Sequence, residues 1–244
     1  MKLSLIVCTY NEKDTILTVL ERVHQAPLLP GWEREVVVVD NASTDGTPDL
    51  LRTIDYDDTR VVYQPRNMGK GTSIRTAIPL CTGDYAHIQD ADLEYDPNDY
   101  HLFLARAEQD RPAAIFGSRT LGGRAVYEYA ANYWGVRFLT LMTNLLYGGH
   151  LTDVATAAKM VRTDVLNRLN LTGTHFDLDF ELPNKLLRAG YEIVEVPIHY
   201  EPRTIEEGKK IRATDGLDAL RVIVRDRFLP MNKIIVETEK GSST

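Results

Sequence analysis

The feature that most constrains the fold is an alternation of two patterns along the first half of the chain. Runs rich in valine and isoleucine predict strands at residues 3–10, 35–40, 61–64, 85–89 and 113–117. Segments with helical spacing begin between them, near Asp14, Thr47, Gly69 and Pro97. We therefore predict an α/β fold with a mostly parallel central sheet and helices on both faces, because β-α-β alternation is typical of that architecture.

The second half of the chain is less regular. A glycine-rich turn at residues 117–123 leads to a long helix that continues to about Tyr147. A helix near residues 178–189, a strand at 191–200 and a last helix ending near Phe228 follow. These segments extend the α/β pattern without predicting where their strand joins the sheet.

Length and composition are those of one globular domain. The 244 residues suffice to bury a full core, and 43% of them are hydrophobic while 26% are charged. No repeat or low-complexity linker divides the sequence, so we expect a single domain over residues 1–230 and a polar tail at 231–244. The net charge of -7 argues against general nucleic-acid binding, which requires a basic surface.

The sequence shows no targeting signal and no membrane span. Met1 and Lys2 run directly into the first predicted strand, and no apolar run approaches the ~20 residues that a spanning helix needs. We therefore expect a cytoplasmic protein. The two cysteines, Cys8 and Cys81, lie in apolar surroundings and fit the core of a protein from a reducing compartment.

Asp90 and Asp92 form the strongest candidate for a metal site. Ligands of a doubly wound sheet bind beyond the carboxyl ends of its strands. The Asp-x-Asp pattern also occurs at residues 55–57 and 177–179, but only the pair at 90 and 92 ends an apolar strand, where alternate side chains share a face. Mg²⁺ and Mn²⁺ prefer such oxygen ligands and bridge carboxylates to substrate phosphates. Glu94 either adds a ligand or contacts the pair; the alternative is a solvated acidic turn.

Two further segments suit a bound nucleotide. Asp40 ends the second strand, where a carboxylate can accept hydrogen bonds from a base or ribose, whereas Ser43 and Asp45 are typical of a turn and a helix cap. The segment at residues 67–71 places two glycines and the cation of Lys70 at a helix start, which suits the approach of a phosphate. Its spacing is not that of a Walker motif.

Taken in order, these segments resemble family-2 glycosyltransferases with the GT-A fold. The first four are IVCTYNE at 6–12, VVDNASTDGT at 38–47, NMGKG at 67–71 and QDADLE at 89–94. The later ones are GSR at 117–119, LTD at 151–153, VEVPI at 194–198 and RTIEEGKK at 203–210. Over about residues 3–228 they resemble the branch that contains dolichyl-phosphate mannosyltransferase and bacterial polyprenyl-phosphate glycosyltransferases.

The resemblance implies a metal-dependent, inverting transfer of a sugar from a nucleoside diphosphate donor. It divides the domain into a nucleotide-sugar-binding half, about residues 1–120, and an acceptor-binding half, about 121–230. The residues it implies are Thr9, Tyr10, Glu12, Asp40 and Lys70 at the nucleotide, Asp90 and Asp92 at Mg²⁺ or Mn²⁺, and Arg119 and Arg203 at phosphates. The donor stays open between GDP-mannose and UDP-hexoses.

Asp153 has two interpretations that depend on the acceptor. If the acceptor is a hydroxyl, Asp153 is the best candidate for the base that takes its proton. If it is a lipid phosphate, the attacking oxygen is already anionic, so Asp92, the metal, Arg119 and Arg203 carry catalysis and Asp153 orients an arginine or caps a turn. The weaker basic candidates are Arg137, Lys159, Lys209 and Lys210.

Three functions remain open at this stage. They are a polyprenyl-phosphate glycosyltransferase, a soluble transferase acting on a hydroxyl, and a nucleotide-sugar-binding module without turnover. The presence of both aspartates with Arg119 and Arg203 favours an enzyme. The amphipathic segment 133–147 and nearby basic residues either contact the cytoplasmic face of a membrane peripherally or bury the helix in the core.

Overall fold

The structure is a computed structural model, and it describes residues 1–121, 130–203 and 213–236. Within them lie the strands β1 (Lys2–Thr9), β2 (Glu33–Asp40), β3 (Thr59–Tyr63), β4 (Tyr85–Asp90), β5 (Ala114–Ser118), β6 (Lys159–Arg162) and β7 (Ile193–Pro197). They form one seven-stranded sheet in the order β3-β2-β1-β4-β6-β5-β7. All run in one direction except β6, which is antiparallel to both neighbours. The predicted mostly parallel sheet is confirmed.

Eight α-helices lie within the described residues; those predicted from the sequence begin or end close to the predicted positions, whereas the short helix at residues 163–168 was not predicted. The helices are α1 (Ile16–Gln25), α2 (Thr47–Leu51), α3 (Lys70–Ala77), α4 (Tyr100–Asp110), α5 (Ala130–Tyr147), α6 (Thr163–Arg168), α7 (Leu178–Arg188) and α8 (Ala213–Phe228). The helix expected from Pro97 starts with a 3₁₀ turn, Pro97–Asp99, before α4. The charged segment 204–212, which includes Lys209 and Lys210, lies outside the described residues, as do Gly122 and Gly123 of the glycine-rich turn.

The central strands are buried on both faces of the sheet. In β1, Leu5 and Val7 belong to the apolar cluster packed with α1 and α4, whereas Ile6 belongs to the cluster packed with α3 and α7. Successive strand residues point to opposite faces, so a nearly continuous apolar run is what two helical layers require. This packing holds the carboxyl ends of β1, β2 and β4 at one edge of the sheet.

The antiparallel strand β6 is the part of the sheet that the sequence pattern does not predict. Its four residues are too few for a periodic signal, and the first of them is a lysine. Lys159 pairs in register with Ile88 of β4 and has no exposed surface. The inserted strand therefore brings a buried cation beside the carboxyl end of β4.

The domain continues slightly beyond residue 230. Ile234 is fully buried, Ile235 forms a bridge with Leu169, and the amide of Val236 donates to the Arg168 carbonyl at 2.8 Å. The expected polar tail thus begins with packed residues, and its remainder, 237–244, lies outside the described part. Among the described residues, none of the helices combines the length and apolar character needed to cross a membrane.

Candidate active site

A cleft of about 760 Å³, open solvent at its mouth included, lies at the carboxyl ends of β1, β2 and β4. It is lined by Cys8, Thr9, Tyr10, Glu12, Asn41, Asn67, Gly69, Lys70, Ser73, Asp90, Ala91, Asp92, His175, Phe176 and Arg203. The position is the one at which open parallel sheets bind ligands. Seven of the residues predicted from the sequence therefore share one cleft: Thr9, Tyr10, Glu12, Lys70, Asp90, Asp92 and Arg203.

Two cations partner the acidic pair. Lys70 Nζ lies 2.7 Å from Asp90 Oδ1. Arg203 Nη2 lies 3.1 Å from Asp92 Oδ2, and its Nη1 lies 3.2 Å from Glu12 Oε2. Burial alone would lower the pKa of Lys70, but the charges of Asp179 and Asp90 outweigh it and raise that pKa above its ordinary value. The cleft is thus a concentrated set of paired charges.

Asp92 carries the most perturbed carboxyl group of the cleft. Burial, with the negative charges of Asp90 and Glu94, raises the pKa of Asp92 to about 7 despite the opposing charge of Arg203. A divalent cation relieves this kind of like-charge repulsion, and two carboxylates supply the hard oxygen ligands that Mg²⁺ and Mn²⁺ prefer. Asp90 and Asp92 therefore fit a divalent metal, to which they would supply carboxylate ligands.

Glu94 is engaged elsewhere. Its Oε2 accepts from the Tyr200 hydroxyl at 2.8 Å, and its Oε1 accepts from the Arg203 amide at 2.9 Å. The described residues, 1–121, 130–203 and 213–236, contain no group of three or more acidic, histidine or cysteine side chains that could hold a metal ion. Of the two interpretations of Glu94, the structure thus favours contact over ligation, because Glu94 positions the segment that carries Arg203.

Arg119 and Asp153 form a buried ion pair. Arg119 Nε and Nη2 donate to the two Asp153 carboxylate oxygens at 2.6 and 2.8 Å, and the Arg119 amide donates at 3.1 Å. Burial alone would raise the pKa of Asp153, but the Arg119 charge outweighs it and holds that pKa below its ordinary value. Glu195 Oε1 in turn accepts from the Asp153 amide at 3.1 Å. This geometry favours the interpretation in which Asp153 orients an arginine.

A second acidic residue links the cleft to the buried lysine of β6. Asp179 Oδ2 lies 3.6 Å from Lys70 Nζ, and its Oδ1 lies 3.8 Å from Lys159 Nζ. Burial, partly offset by Asp179, lowers the pKa of Lys159 to about 8. The pattern at residues 177–179 showed no strand context, so only the docking of α7 on the sheet reveals that Asp179 connects two cations.

One wall of the cleft comes from a loop that the sequence pattern does not single out. Residues 172–177 carry His175 and Phe176 into the lining, and the Thr174 carbonyl accepts from the amide of Thr72 at 3.0 Å. A Cβ added to Gly71 would lie 2.8 Å from two carbonyl oxygens of this loop. The glycine at residue 71 therefore permits close approach of α3 and the loop. No periodic or spacing signal in the sequence marks this contact.

The nucleotide candidates at the ends of β1 and β2 differ in whether they reach the cleft, since Thr9 lines it and Asp40 does not. Among the described residues, the Thr9 hydroxyl and one carboxylate oxygen of Asp40 are buried and have no hydrogen-bond partner, which marks atoms able to accept a ligand's bond. Asp40 is almost fully buried, and Asn41 rather than Asp40 lines the cleft. Ser43 accepts from the Asn11 amide at 2.8 Å, in accord with its expected turn role.

Fold and site together define a class of protein: an α/β domain with a paired acidic motif in the cleft at the carboxyl edge of a mostly parallel sheet. Residues 4–169 match the profile of the family described as Glycosyl transferase family 2. The match covers more than half of the chain, so this protein belongs to that glycosyltransferase family. The predicted family and the α/β GT-A fold are confirmed.

Several relatives are named for sugar transfer. The chain is 27% identical to the low-salt glycan biosynthesis hexosyltransferase Agl6 of Haloferax volcanii. The aligned region covers 82% of this chain and about half (48%) of Agl6. The chain is also 27% identical to undecaprenyl-phosphate mannosyltransferase of Micrococcus luteus, over 86% of this chain and 87% of that one. Polyprenol monophosphomannose synthase of Mycolicibacterium smegmatis is 26% identical over 84% and 79% of the two chains.

Solved structures share the fold at lower identity. Glucosyl-3-phosphoglycerate synthase from Mycobacterium tuberculosis, crystallised with Mn²⁺, UDP and phosphoglyceric acid, superposes with a TM-score of 0.69 at 17% identity, covering 94% of this chain and 79% of that one. S. aureus TarS 1-349 in complex with UDP has a TM-score of 0.60 at 19% identity, with 96% and 68% covered. These likenesses establish the fold alone.

Proposed function

We propose that this protein transfers a hexose from a nucleoside diphosphate donor to a polyprenyl phosphate, with inversion at the anomeric carbon and with Mg²⁺ or Mn²⁺ as cofactor. The observation that carries the proposal is the cleft in which Asp90 and Asp92 face Lys70 and Arg203. A diphosphate leaving group needs positive charge that is already in place, and Lys70 and Arg203 would supply it together with the metal. The relatives named for undecaprenyl and polyprenol phosphates support the acceptor class.

Each residue has a role in the proposed reaction. Thr9, Tyr10, Glu12 and Asp40 would bind the nucleoside, with the unpartnered oxygens of Thr9 and Asp40 accepting its donors. Asp90 and Asp92 would hold the metal, which supplies Lewis-acid stabilisation of the departing diphosphate when bound. Lys70 and Arg203 add positive charge beside the phosphates.

The Arg119–Asp153 pair supports a phosphate acceptor over a hydroxyl. A hydroxyl acceptor needs a base, and both Asp153 oxygens already accept from Arg119 while the pKa of Asp153 is lowered. A lipid phosphate brings an anionic oxygen, so the requirement becomes a cation that orients it. We propose that Arg119, held by Asp153, meets that phosphate.

The test is a transfer assay with purified protein, a short polyprenyl phosphate in detergent, and GDP-mannose, UDP-glucose or UDP-N-acetylglucosamine. Product extracted into organic solvent and identified by mass spectrometry, formed with Mn²⁺ and lost with chelator, is the expected result. Asp92→Asn should abolish it. Asp57→Asn is the matched control, because Asp57 belongs to another Asp-x-Asp pattern and is exposed. Full turnover by Asp92→Asn would refute the metal assignment.

Two other results would redirect the proposal. Transfer to a water-soluble hydroxyl but not to the lipid phosphate would establish the soluble alternative. Donor binding without turnover on any acceptor would establish a nucleotide-sugar-binding module.

A further inference from the structure

The outer faces of α5 and α8 carry two matching apolar stripes. They are formed by Trp134, Phe138, Leu141 and Leu145 on α5, and by Leu217, Val224 and Phe228 on α8. With Arg221 included, both stripes have the spacing 4-3-4, which aligns side chains along one face of a helix. The seven apolar side chains are between 42% and 80% exposed.

These stripes are separate from the faces that build the core. Leu139 of α5 packs with Val222 and Ile223 of α8 in a buried cluster, and the Tyr147 hydroxyl donates to the Ile223 carbonyl at 2.6 Å. A helix that only covers a core needs one apolar face, whereas each of these helices has two. Large apolar side chains left exposed in a row along a helix are typical of an interaction site.

The exposed charged side chains that the structure describes on α5 and α8 are mostly positive. The only charged residue of α5 is the exposed Arg137, and this helix contains no acidic residue. Arg221 lies within the stripe of α8, and Arg227 is exposed on the same helix. Asp218 is the exposed acidic residue among the described side chains of α8. In a chain with a net charge of -7, this local excess of arginine points to an anionic partner.

We propose that the outer faces of α5 and α8 dock on an anionic phospholipid bilayer. The apolar side chains would enter the boundary between headgroups and acyl chains, and Arg137 and Arg221 would meet lipid phosphates, as interfacial amphipathic helices do. A second copy of the chain is a poorer occupant. Symmetric pairing of this face would bring the exposed arginines of both copies into one desolvated contact.

Helix α5, which carries half of the docking face, is bonded to the segment that holds Arg119. Arg137 Nη1 donates to the Thr152 carbonyl at 3.3 Å, and the Thr140 hydroxyl of α5 accepts from the Val154 amide at 3.2 Å. Residues 152–154 include Asp153, which holds Arg119. We expect docking to hold a lipid acceptor close to the segment that is bonded to Arg119. The role of docking in placing the acceptor rests on the proposed function, whereas the docking of the face on a bilayer does not.

Tryptophan fluorescence can report whether the proposed face binds vesicles. It has two tryptophans, of which Trp134 is 69% exposed on the proposed face and Trp32 is buried. Vesicles of phosphatidylglycerol and phosphatidylcholine, with chelator and without donor or acceptor, should shift Trp134 emission to shorter wavelength. Trp134→Phe should lose that shift. Pure phosphatidylcholine vesicles should bind the protein more weakly, since they lack the anionic headgroup.

Variants locate the surface by vesicle sedimentation. Leu145→Gln and Leu217→Gln should each lower the partition coefficient about tenfold or more, because each removes a large apolar side chain from the interface. Arg221→Gln should lower it about fivefold on anionic vesicles only. Leu17→Gln is the matched control, since Leu17 is 41% exposed on α1 and should leave partition unchanged.

Three results would overturn the docking proposal. They are the absence of any Trp134 shift on anionic vesicles, equal partition of all the leucine variants, and a lipid-independent dimer that the same variants disrupt. The last would assign the face to a second copy. Docking without transfer in the detergent assay would refute the proposed function alone, and transfer in detergent without docking would refute this inference alone.

Discussion

The replacement Asp153→Asn tests the buried ion pair that holds Arg119. It removes one charge of a pair whose side chains are 8% and 0% exposed and leaves the arginine facing a neutral amide. Breaking a buried pair from one side costs about 3–5 kcal/mol, and the retained amide oxygen places the expected loss near the lower figure. For a domain of this size, a loss of about 3 kcal/mol lowers Tm by roughly 6–12 °C. Urea denaturation at pH 7 measures it directly.

An exposed pair of the same geometry provides the control. Arg162 Nε and Nη2 donate to the two oxygens of Asp164 at 2.9 and 2.6 Å, but these side chains are 42% and 58% exposed. Asp164→Asn should therefore cost about 1 kcal/mol or less, because water screens the pair. If Asp153→Asn stays within about 0.5 kcal/mol of the wild type, burial does not strengthen this ion pair.

The pH dependence of the same variant has a definite sign. The pKa of Asp153 is lowered in the folded state, so its contribution is complete above the unfolded-state value of about 3.9 and is lost as pH falls through the folded-state value. The stability difference between wild type and Asp153→Asn should therefore be constant near neutrality and shrink in acid. A difference that grows in acid would contradict the assignment.

Three further predictions concern the cleft. Gly71→Ala should destabilise the fold by about 1–2 kcal/mol and weaken donor-induced thermal shifts, because the added Cβ would meet backbone oxygens of residues 173 and 175. Gly135→Ala is the control: its Cβ would have nothing within 4 Å and should stabilise α5 by up to about 1 kcal/mol. Equal effects of the two variants would contradict the close approach of Gly71 to the 172–177 loop. Because the pKa of Asp92 is raised to about 7, the stability of the metal-free protein should fall as pH rises from about 4 to 7. Asp92→Asn should flatten this pH dependence of Tm in calorimetry. An unchanged slope in the variant would contradict the raised pKa of Asp92. Glu181→Gln weakens the bonds that hold Thr172 and Gly173, so limited proteolysis should cut the 172–177 loop faster, and unaltered cleavage would exclude this anchoring role.

Much of the fold could be predicted because its signals are local. The strands β1, β2 and β4 are apolar runs followed by polar residues, and a parallel sheet places such ends together by topology alone. The aspartates at 90 and 92 could be separated from the other Asp-x-Asp patterns for the same reason. The antiparallel β6 could not be predicted, since its four residues carry no periodicity and its partners are distant in sequence.

The sequence by itself determined the α/β class and the edge of the sheet that carries the site, because periodicity and strand ends depend on neighbours along the chain. The main residues of the cleft came partly from those strand ends and partly from the resemblance to family-2 glycosyltransferases. Only the tertiary structure decided that Asp153 is paired with Arg119, that Glu94 contacts Tyr200, and that Asp179 joins Lys70 to Lys159. These choices depend on which distant side chains burial brings within hydrogen-bond distance. Pairing, desolvation and exposure are properties of the packed domain, and no pattern along the chain records them.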